Sequence, residues 1–189
     1  MEDQQESFSD MGMLLILILM LVYIVMAAQF ESLRYPFIIM FSIPFAFVGF
    51  ILSLFITGET INLMSLIGAI MLVGIVVKNG IVLVDYINLN RERGMGISQA
   101  VILGGKSRLR PVLMTSMTTI LGMVPMSLGI GEGSELWQPM GIAIVGGLTV
   151  STLVTLVIIP TVYCVFASRE VKSYRKKNLL RLNNRTVKA

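Results

Sequence analysis

The hydrophobic and polar positions of this chain alternate over lengths of whole helices rather than residue by residue. Long apolar runs cover approximately residues 12–30, 36–57, 61–87, 111–131 and 139–167, and polar or charged segments separate them. Each run is long enough to cross about 30 Å of hydrocarbon as a helix that rises about 1.5 Å per residue. The pattern therefore predicts an all-α, polytopic transmembrane helical bundle of five spans.

Composition agrees with a membrane location. The 189 residues are 55% hydrophobic and 14% charged, and the mean hydropathy is +0.83. A soluble domain of this size has no core large enough to bury so much apolar surface. The chain starts with the acidic stretch "MEDQQESFSD", whereas a secretory signal has a basic start, so we interpret 12–30 as a true span.

Charge predicts the orientation of the spans. Every Lys and Arg except Arg34 and Lys78 lies in the segment 88–110 or in the tail 168–189. The opposite side has no basic residue and carries Glu2, Asp3, Glu6, Asp10, Glu59, Glu132 and Glu135. The positive-inside rule then predicts an outside-facing segment 1–11, a cytoplasmic loop 88–110 and a basic cytoplasmic tail. This use of the basic residues removes the support that a pI of about 9.4 gives to nucleic-acid binding.

Several classes of chemistry lack their residues in this sequence. There is no histidine, and Cys164 is the one cysteine, which excludes a disulfide within the chain and a zinc site built on Cys and His. We find no nucleophile–base pair and no metal-ligand cluster. We therefore expect no enzyme activity, no metal site and no cofactor.

Small residues and prolines indicate a packed bundle rather than separate anchors. Gly147, Ser151 and Thr155 recur at a spacing of four, which lets a neighbouring helix approach closely. Pro44, Pro125 and Pro160 fall inside apolar runs and are expected to kink them. Pro111 suits the first turn of a helix. The stretch before it, 97–110, fits either a short interfacial helix or a plain linker.

Lys78 lies deep in an apolar run, within "GIVVKNGIVLVDY". About ten residues, or roughly 15 Å, separate it from the cytoplasmic end of its span, which is more than a lysine side chain can reach. An internal partner is therefore expected. Asp85 is two turns away, too far for a direct pair, and Asn79 cannot neutralise a charge. The sequence predicts a carboxylate partner outside this chain.

Polar residues around the start of the fourth run are the other candidates. Arg108, Arg110 and Thr115 lie in "RLRPVLMTS". A titratable relay through Lys78, Thr115 and one arginine is physically sensible. The arginines also fit a purely topological role, and the hydroxyl also fits a bond to its own helix.

The stretches "YIVMAAQFESLRYPFIIMFSIPFAFVG", "GIVVKNGIVLVDY", "RLRPVLMTS" and "MGIAIVGGLTVSTLVTLVIIPTVY" occur in the order and separation found in one family. Together they resemble the last five spans of the resistance–nodulation–division (RND) multidrug efflux permeases. The resemblance runs from about Glu6 to Phe166. It implies twelve spans in the whole permease, two large exported loops and a homotrimer that works with adaptor and outer-membrane channel proteins.

The resemblance also implies roles for single residues. The proton relay of the family pairs two aspartates of an earlier span with a lysine, an arginine and a threonine, which fall on Lys78, Arg108 and Thr115. Asn79, Asp85 and Arg110 are secondary candidates. The Lys78–Asn79 pair is closer to the drug-exporting than to the metal-exporting branch. Expected ligands are protons and small amphiphilic or hydrophobic compounds, and the expected location is the bacterial inner membrane.

Two functions from different classes follow. The first is the C-terminal membrane portion of a proton-driven exporter, either a fragment or a truncated or split gene product that needs the missing N-terminal half and does not transport alone. The alternative is a stand-alone structural or regulatory helical membrane protein without transport. An unpaired Lys78 favours the first.

Overall fold

A computed structural model of the chain describes the backbone of residues 2–131 and 133–186 and the side chains of 7–131 and 133–167. Glu132, which was predicted to lie on the outside, and the side chains of the basic tail 168–189 therefore lie outside the described residues. The helices are α1 (Glu2–Phe30), α2 (Arg34–Met40), α3 (Ile43–Thr57), α4 (Leu63–Glu92), α5 (Ile97–Ser127) and α6 (Ser134–Thr186). The described backbone contains no strand, in agreement with the predicted all-α class.

In the part of the chain that the structure describes, four helical stretches are long and apolar enough to cross a membrane. They are Ser7–Phe30, Arg34–Thr57, Leu63–Glu92 and Ser134–Ala167, and they correspond to four of the predicted spans. The remaining predicted span, 111–131, lies mostly in the second half of α5. Its helical stretch contains Thr115, Ser116, Thr118 and Thr119 and has an arginine immediately before it, which lowers the hydropathy of α5. The structure thus supports a polytopic helical protein with four strongly apolar spans.

The second span is broken rather than kinked. Helix α2 ends at Met40 and α3 begins at Ile43, so that Pro44 lies in the first turn of α3. Proline is tolerated there because its missing N–H would have no helical partner. The hydroxyl of Ser42, fully buried at the break, donates to the carbonyl of Ile39 at 2.7 Å. The expected kink at Pro44 is therefore a helix start.

Helix α5 runs straight through the position where a helix start was expected. Pro111 lies inside α5, whose N-terminal cap is Gly96, and the predicted loop 88–110 is helical except at 93–96. Pro111 is thus not in a first turn, because the preceding residues already form helix from Ile97. The turn between α4 and α5 passes through Gly94, whose positive φ of 86° is readily adopted by glycine.

Helix α6 lies at the centre of the bundle and packs against α3, α4 and α5. Glycines set the closest approaches. A Cβ at Gly146 would overlap the Cβ of Ser53 on α3, and a Cβ at Gly68 would lie 3.1 Å from the Cβ of Ala143. Such contacts replace the hydrophobic driving force, since lipid is as apolar as the helices themselves. Among the described residues, helix α1 packs against α2 and α4, and most of its large apolar side chains are exposed.

Two apolar clusters fill the interior. One includes Met26, Ile38, Leu83, Ile159 and Tyr163 and lies towards the junction of α1 and α2. The other includes Phe50, Leu54, Leu72 and Leu148 and lies towards the end of α3. Along α4 the two clusters meet between Leu72 and Val77, just before Asn79, and along α6 they meet between Leu148 and Ile159. Buried polar side chains lie near this level.

Candidate functional site

Lys78 lies on the side of α4 that the rest of the described chain leaves open. It is exposed, and Met71, Gly74, Asp85 and Leu89 share this exposed face. Within the described residues, Lys78 has neither a hydrogen bond nor an ion pair. Lysine in a membrane-spanning helix normally faces a partner or water. The open face of α4, defined by these five residues, is therefore the place where a partner of Lys78 would bind.

Arg108 connects α5 to the same helix. Its guanidinium carbon lies 4.6 Å from the ring centroid of Tyr86, in cation–π geometry. Tyr86 follows Lys78 by eight residues, which is about 12 Å along a helix. The Nε atom of Arg108 is buried and has no hydrogen-bond partner among the described residues. One donor of this cation is thus held away from solvent and available to an acceptor.

Thr115 is exposed on α5, and its hydroxyl donates to the carbonyl of Pro111 at 2.8 Å. This is the bond to its own helix that hydroxyls in membrane helices commonly make. Lys78, Arg108 and Thr115 thus occupy the neighbouring helices α4 and α5, but none of the three hydrogen-bonds to another in the described structure. The oxygen of Thr115 keeps a lone pair with which it can accept a hydrogen bond.

The secondary candidates lie in different surroundings. Arg110 is exposed near the middle of α5. Asp85 lines a cavity of about 520 Å³ together with Glu31, Asn88 and Glu92, at the end of α4 away from Lys78. Asp85 and Lys78 form no ion pair, as expected from their separation of two turns.

Asn79 belongs to a polar network that the sequence alone did not single out. Its side-chain nitrogen donates to the hydroxyl oxygen of Ser116 on α5 at 3.5 Å, and the hydroxyl of Thr152 on α6 donates to the same oxygen at 3.0 Å. The three residues, named the polar triad, are 8%, 2% and 6% exposed respectively. They connect α4, α5 and α6 at the level between the two apolar clusters.

The small-residue positions are all buried on α6. A Cβ at Gly147 would overlap a methyl carbon of Leu72 on α4, and Ser151 donates to the carbonyl of Leu148 at 3.3 Å. The hydroxyl of Thr155 is buried and has no partner among the described residues. The stripe of Gly147, Ser151 and Thr155 thus faces the inside of the bundle.

A second polar cluster joins the end of α4 to the middle of α6. The hydroxyl of Tyr163 donates to Asn88 at 2.5 Å and accepts from Arg91 at 3.3 Å, and its ring stacks on Tyr35 with centroids 5.8 Å apart. The adjoining cavity of about 150 Å³ is lined by Ser32, Tyr35, Arg91 and Tyr163 among others. The acidic and basic residues at this end favour a wet interface rather than hydrocarbon.

No group of His, Cys, Asp and Glu side chains in the described residues has the arrangement of a metal site. Cys164 is free and partly buried.

The sequence model of the AcrB/AcrD/AcrF family matches residues 1–167. The chain is similar to the swarming motility protein SwrC of Bacillus subtilis (strain 168), with 40% identity over 176 residues, which are 93% of this chain and 16% of that protein.

The fold is similar to solved structures of a heavy metal efflux pump. In one crystal form the TM-score is 0.77 with 34% sequence identity, and the match covers 88% of this chain and 16% of the pump. In the second crystal form the TM-score is 0.73 with 33% identity, covering 87% and 16%. The chain therefore spans about a sixth of the length of the relatives it matches.

Proposed function

Because this chain belongs to the AcrB/AcrD/AcrF family, we propose that it forms the C-terminal membrane portion of a proton-driven RND exporter. In this proposal, Lys78, Arg108 and Thr115 are the cationic and hydroxyl side of the proton relay. The carboxylates that change protonation, and the pocket that selects substrate, belong to parts of the permease beyond the sixth that this chain matches. The 189-residue chain is then expected not to transport alone.

The observation that carries the proposal is the open face of α4. A lysine in an apolar helix is costly, at about 2.5–3.5 kcal/mol on insertion scales, unless it has a partner. Lys78 has none among the described residues, and the side chains around it leave room for another helix. A helix carrying carboxylates would neutralise it there. Protonation of those carboxylates would remove the attraction and release α4, which is how a proton gradient can drive a conformational change.

Arg108 and Thr115 fit the same scheme from α5. The buried Nε–H of Arg108 is a donor without an acceptor among the described residues, and a buried donor costs about 1–3 kcal/mol while it stays unpaired. A carboxylate that approaches α4 would supply the acceptor. Thr115 would then accept a hydrogen bond through its free lone pair, and it would pass a proton on by releasing the hydroxyl proton that it donates to the carbonyl of Pro111.

The proposed surroundings of this site follow from the family. The spans form part of a multi-pass inner-membrane protein, and 111–131 is the fourth of the five proposed spans of this chain. The permease is a homotrimer that works with adaptor and outer-membrane channel proteins. The proposed orientation has the N-terminus outside and the tail in the cytoplasm, because Lys and Arg concentrate on one side.

Two substrate classes are candidates. The Lys78–Asn79 pair favours export of small amphiphilic or hydrophobic compounds, on the resemblance to drug exporters. Export of metal ions is the second candidate, favoured because the solved structures that match are of a heavy metal efflux pump. Growth of cells that carry the assembled permease, on dyes or on metal salts, separates the two.

Replacing Lys78 tests the proposed relay. The host is a permease of the family in which this chain takes the place of the segment it matches. Lys78→Ala should abolish proton-coupled efflux and leave membrane insertion intact, because it removes the counter-charge and keeps a good helix former. Lys106→Ala is the matched control, since Lys106 is an exposed lysine of α5 outside the proposed relay. Efflux that persists in Lys78→Ala and still collapses with the proton gradient would contradict the proposal.

A further inference from the structure

Asn79, the member of the polar triad on α4, follows Lys78 in the sequence but faces a different side of the helix. Asn79 is buried between α5 and α6, whereas Lys78 is exposed on the open face. Consecutive residues of a helix are about 100° apart around its axis. Any rotation of α4 that displaces Asn79 from Ser116 therefore also turns Lys78 away from the open face.

Close packing at Gly68 and Gly80 gives α4 a preferred rotation, since a Cβ at these positions would lie 3.1 Å from Ala143 and 2.7 Å from Ile39. The exposure of an apolar face adds little to this preference, because lipid tails are as apolar as Val or Leu. The triad strengthens the preference, because rotation would leave the amide of Asn79 in hydrocarbon and break its bond to Ser116. Single buried polar residues fix register in this manner in coiled coils.

The geometry of the triad also connects the third helix. The hydroxyl oxygen of Ser116 on α5 accepts hydrogen bonds from both Asn79 on α4 and Thr152 on α6, so these two helices share one acceptor. The 3.0 Å bond from Thr152 is shorter than the 3.5 Å bond from Asn79. The Thr152 bond thus holds Ser116 in the orientation that receives Asn79.

We infer that Asn79, Ser116 and Thr152 are positioning residues that set the rotation of α4 and so present Lys78 on its open face. The inference rests on the proposed function for the meaning of Lys78, but the rotation itself is a property of this chain. Ser116 and Thr152 act through Asn79, and in the described structure neither side chain hydrogen-bonds to Lys78, Arg108 or Thr115.

A pair of substitutions at one position distinguishes positioning from packing. Thr152→Val keeps the shape of the side chain and removes the hydroxyl, whereas Thr152→Ser keeps the hydroxyl and removes a methyl group. If Thr152 acts by packing, Ser is the more damaging change; if it acts by its hydrogen bond, Val is. Thr149→Val is the matched control, because Thr149 is exposed on the same helix and its hydroxyl bonds to Val145 of that helix.

The rotation of α4 is measured directly in the 189-residue chain reconstituted in lipid, with Cys164→Ser as background. Nitroxide labels at Ile70, Met71, Gly74 and Ile75 report oxygen accessibility, which varies with the helical period. We expect Thr152→Val to shift the phase of this variation by up to about one residue, or roughly 100°. Thr152→Ser and Thr149→Val should leave the phase in place.

Ser116→Ala is the second variant and removes the acceptor that both partners share. It should shift the phase of the accessibility pattern in the same direction as Thr152→Val. If one of the two variants fails to insert, the other one tests the inference. An unchanged phase in the variants that insert would overturn the inference. So would a larger shift with Thr152→Ser than with Thr152→Val. Neither result depends on transport.

The consequence for transport is measured in the family permease that carries this chain. Thr152→Val should lower proton-coupled efflux about three- to tenfold, the range expected for losing one buried hydrogen bond, and Thr152→Ser should restore it. The two proposals can fail separately. If Lys78→Ala leaves efflux intact while Thr152→Val shifts the phase, the proposed relay is rejected and the positioning role is retained.

Discussion

At the scale of single residues, Gly49 illustrates how one missing side chain determines the packing of two helices. A Cβ at this position would lie 2.7 Å from the Cβ of Val150 and 2.9 Å from the carbonyl oxygen of Gly146, both on α6. The second of these atoms is backbone and cannot move alone. Gly49 therefore permits a close approach of α3 and α6 that alanine would prevent.

Gly49→Ala should destabilise the chain by about 1–3 kcal/mol, the usual cost of overpacking a well-packed interior. Gly74 is the control, since it lies inside α4 with nothing within 4 Å of its Cβ position. Gly74→Ala should stabilise the chain by about 0.5–1 kcal/mol because alanine is the better helix former. Unfolding of the reconstituted chain in a denaturing detergent measures both. Equal effects of the two substitutions would contradict the close approach.

The sequence made Lys78 conspicuous but not the residues that orient it. A lysine in an apolar run stands out at once. Hydroxyls do not, because most of them in these helices bond to their own backbone, as those of Thr115, Thr118 and Thr161 do. Ser116 and Thr152 differ only in facing a neighbouring helix, which depends on how α4, α5 and α6 pack. No local pattern marks that difference.

At the scale of helices, the prolines have different roles that look alike in the sequence. Pro44 opens α3, whereas Pro111 and Pro125 lie inside α5 and Pro160 lies inside α6. Proline fits a first helical turn and is also tolerated within membrane helices when neighbours satisfy the freed carbonyl. The choice between the two depends on tertiary packing. The apolar runs therefore predicted the number of long helices better than they predicted the breaks.

The start of α2, the end of α4 and the middle of α6 meet around the hydroxyl of Tyr163. Tyr163→Phe removes its bonds to Asn88 and Arg91 and keeps the ring that stacks on Tyr35. We expect a loss of about 1–3 kcal/mol, since partly buried partners lose their hydrogen bonds. This loss of stability would appear as faster hydrogen exchange confined to the segments of the three helices around Tyr35, Asn88 and Tyr163.

Tyr23→Phe is the control for that experiment. The hydroxyl of Tyr23 also donates a single bond, to the carbonyl of Leu33 at 3.0 Å, but in an exposed position. Water replaces such a bond at little cost, so its removal should leave exchange in α4 and α6 unchanged. A Tyr163→Phe chain with exchange as slow as the original would mean that ring packing alone holds the three helix segments together.

At the scale of the whole molecule, hydropathy predicted a helical membrane bundle, and the family match agrees with it. Hydropathy could not predict the arrangement of the helices, because the four strongly apolar spans are apolar on nearly all sides and so give no periodic signal of their inner faces. The central position of α6 depends on glycines and small residues whose partners lie on other helices. The open face of α4 likewise appears only once α5 and α6 are in place.

Orientation and the span 111–131 are tested together by the two ends of α5. This helix has 31 residues, or about 46 Å at 1.5 Å per residue, which exceeds the roughly 30 Å of hydrocarbon. Its first part carries Lys106, Arg108 and Arg110, which the positive-inside rule assigns to the cytoplasm. Helix α5 should therefore start inside and end outside.

Single cysteines at Gly96 and Leu136 place one thiol before α5 and one after it. Both positions are exposed, and neither substitution changes a charge on which the orientation depends. In the Cys164→Ser background, a membrane-impermeant maleimide added to intact cells should label Leu136→Cys and not Gly96→Cys, and permeabilised cells should label both. Labelling of both positions from outside would mean that α5 does not cross the membrane and that the chain has four spans. Labelling of Gly96→Cys alone would invert the topology and place the basic residues outside, against the charge distribution on which the orientation was predicted.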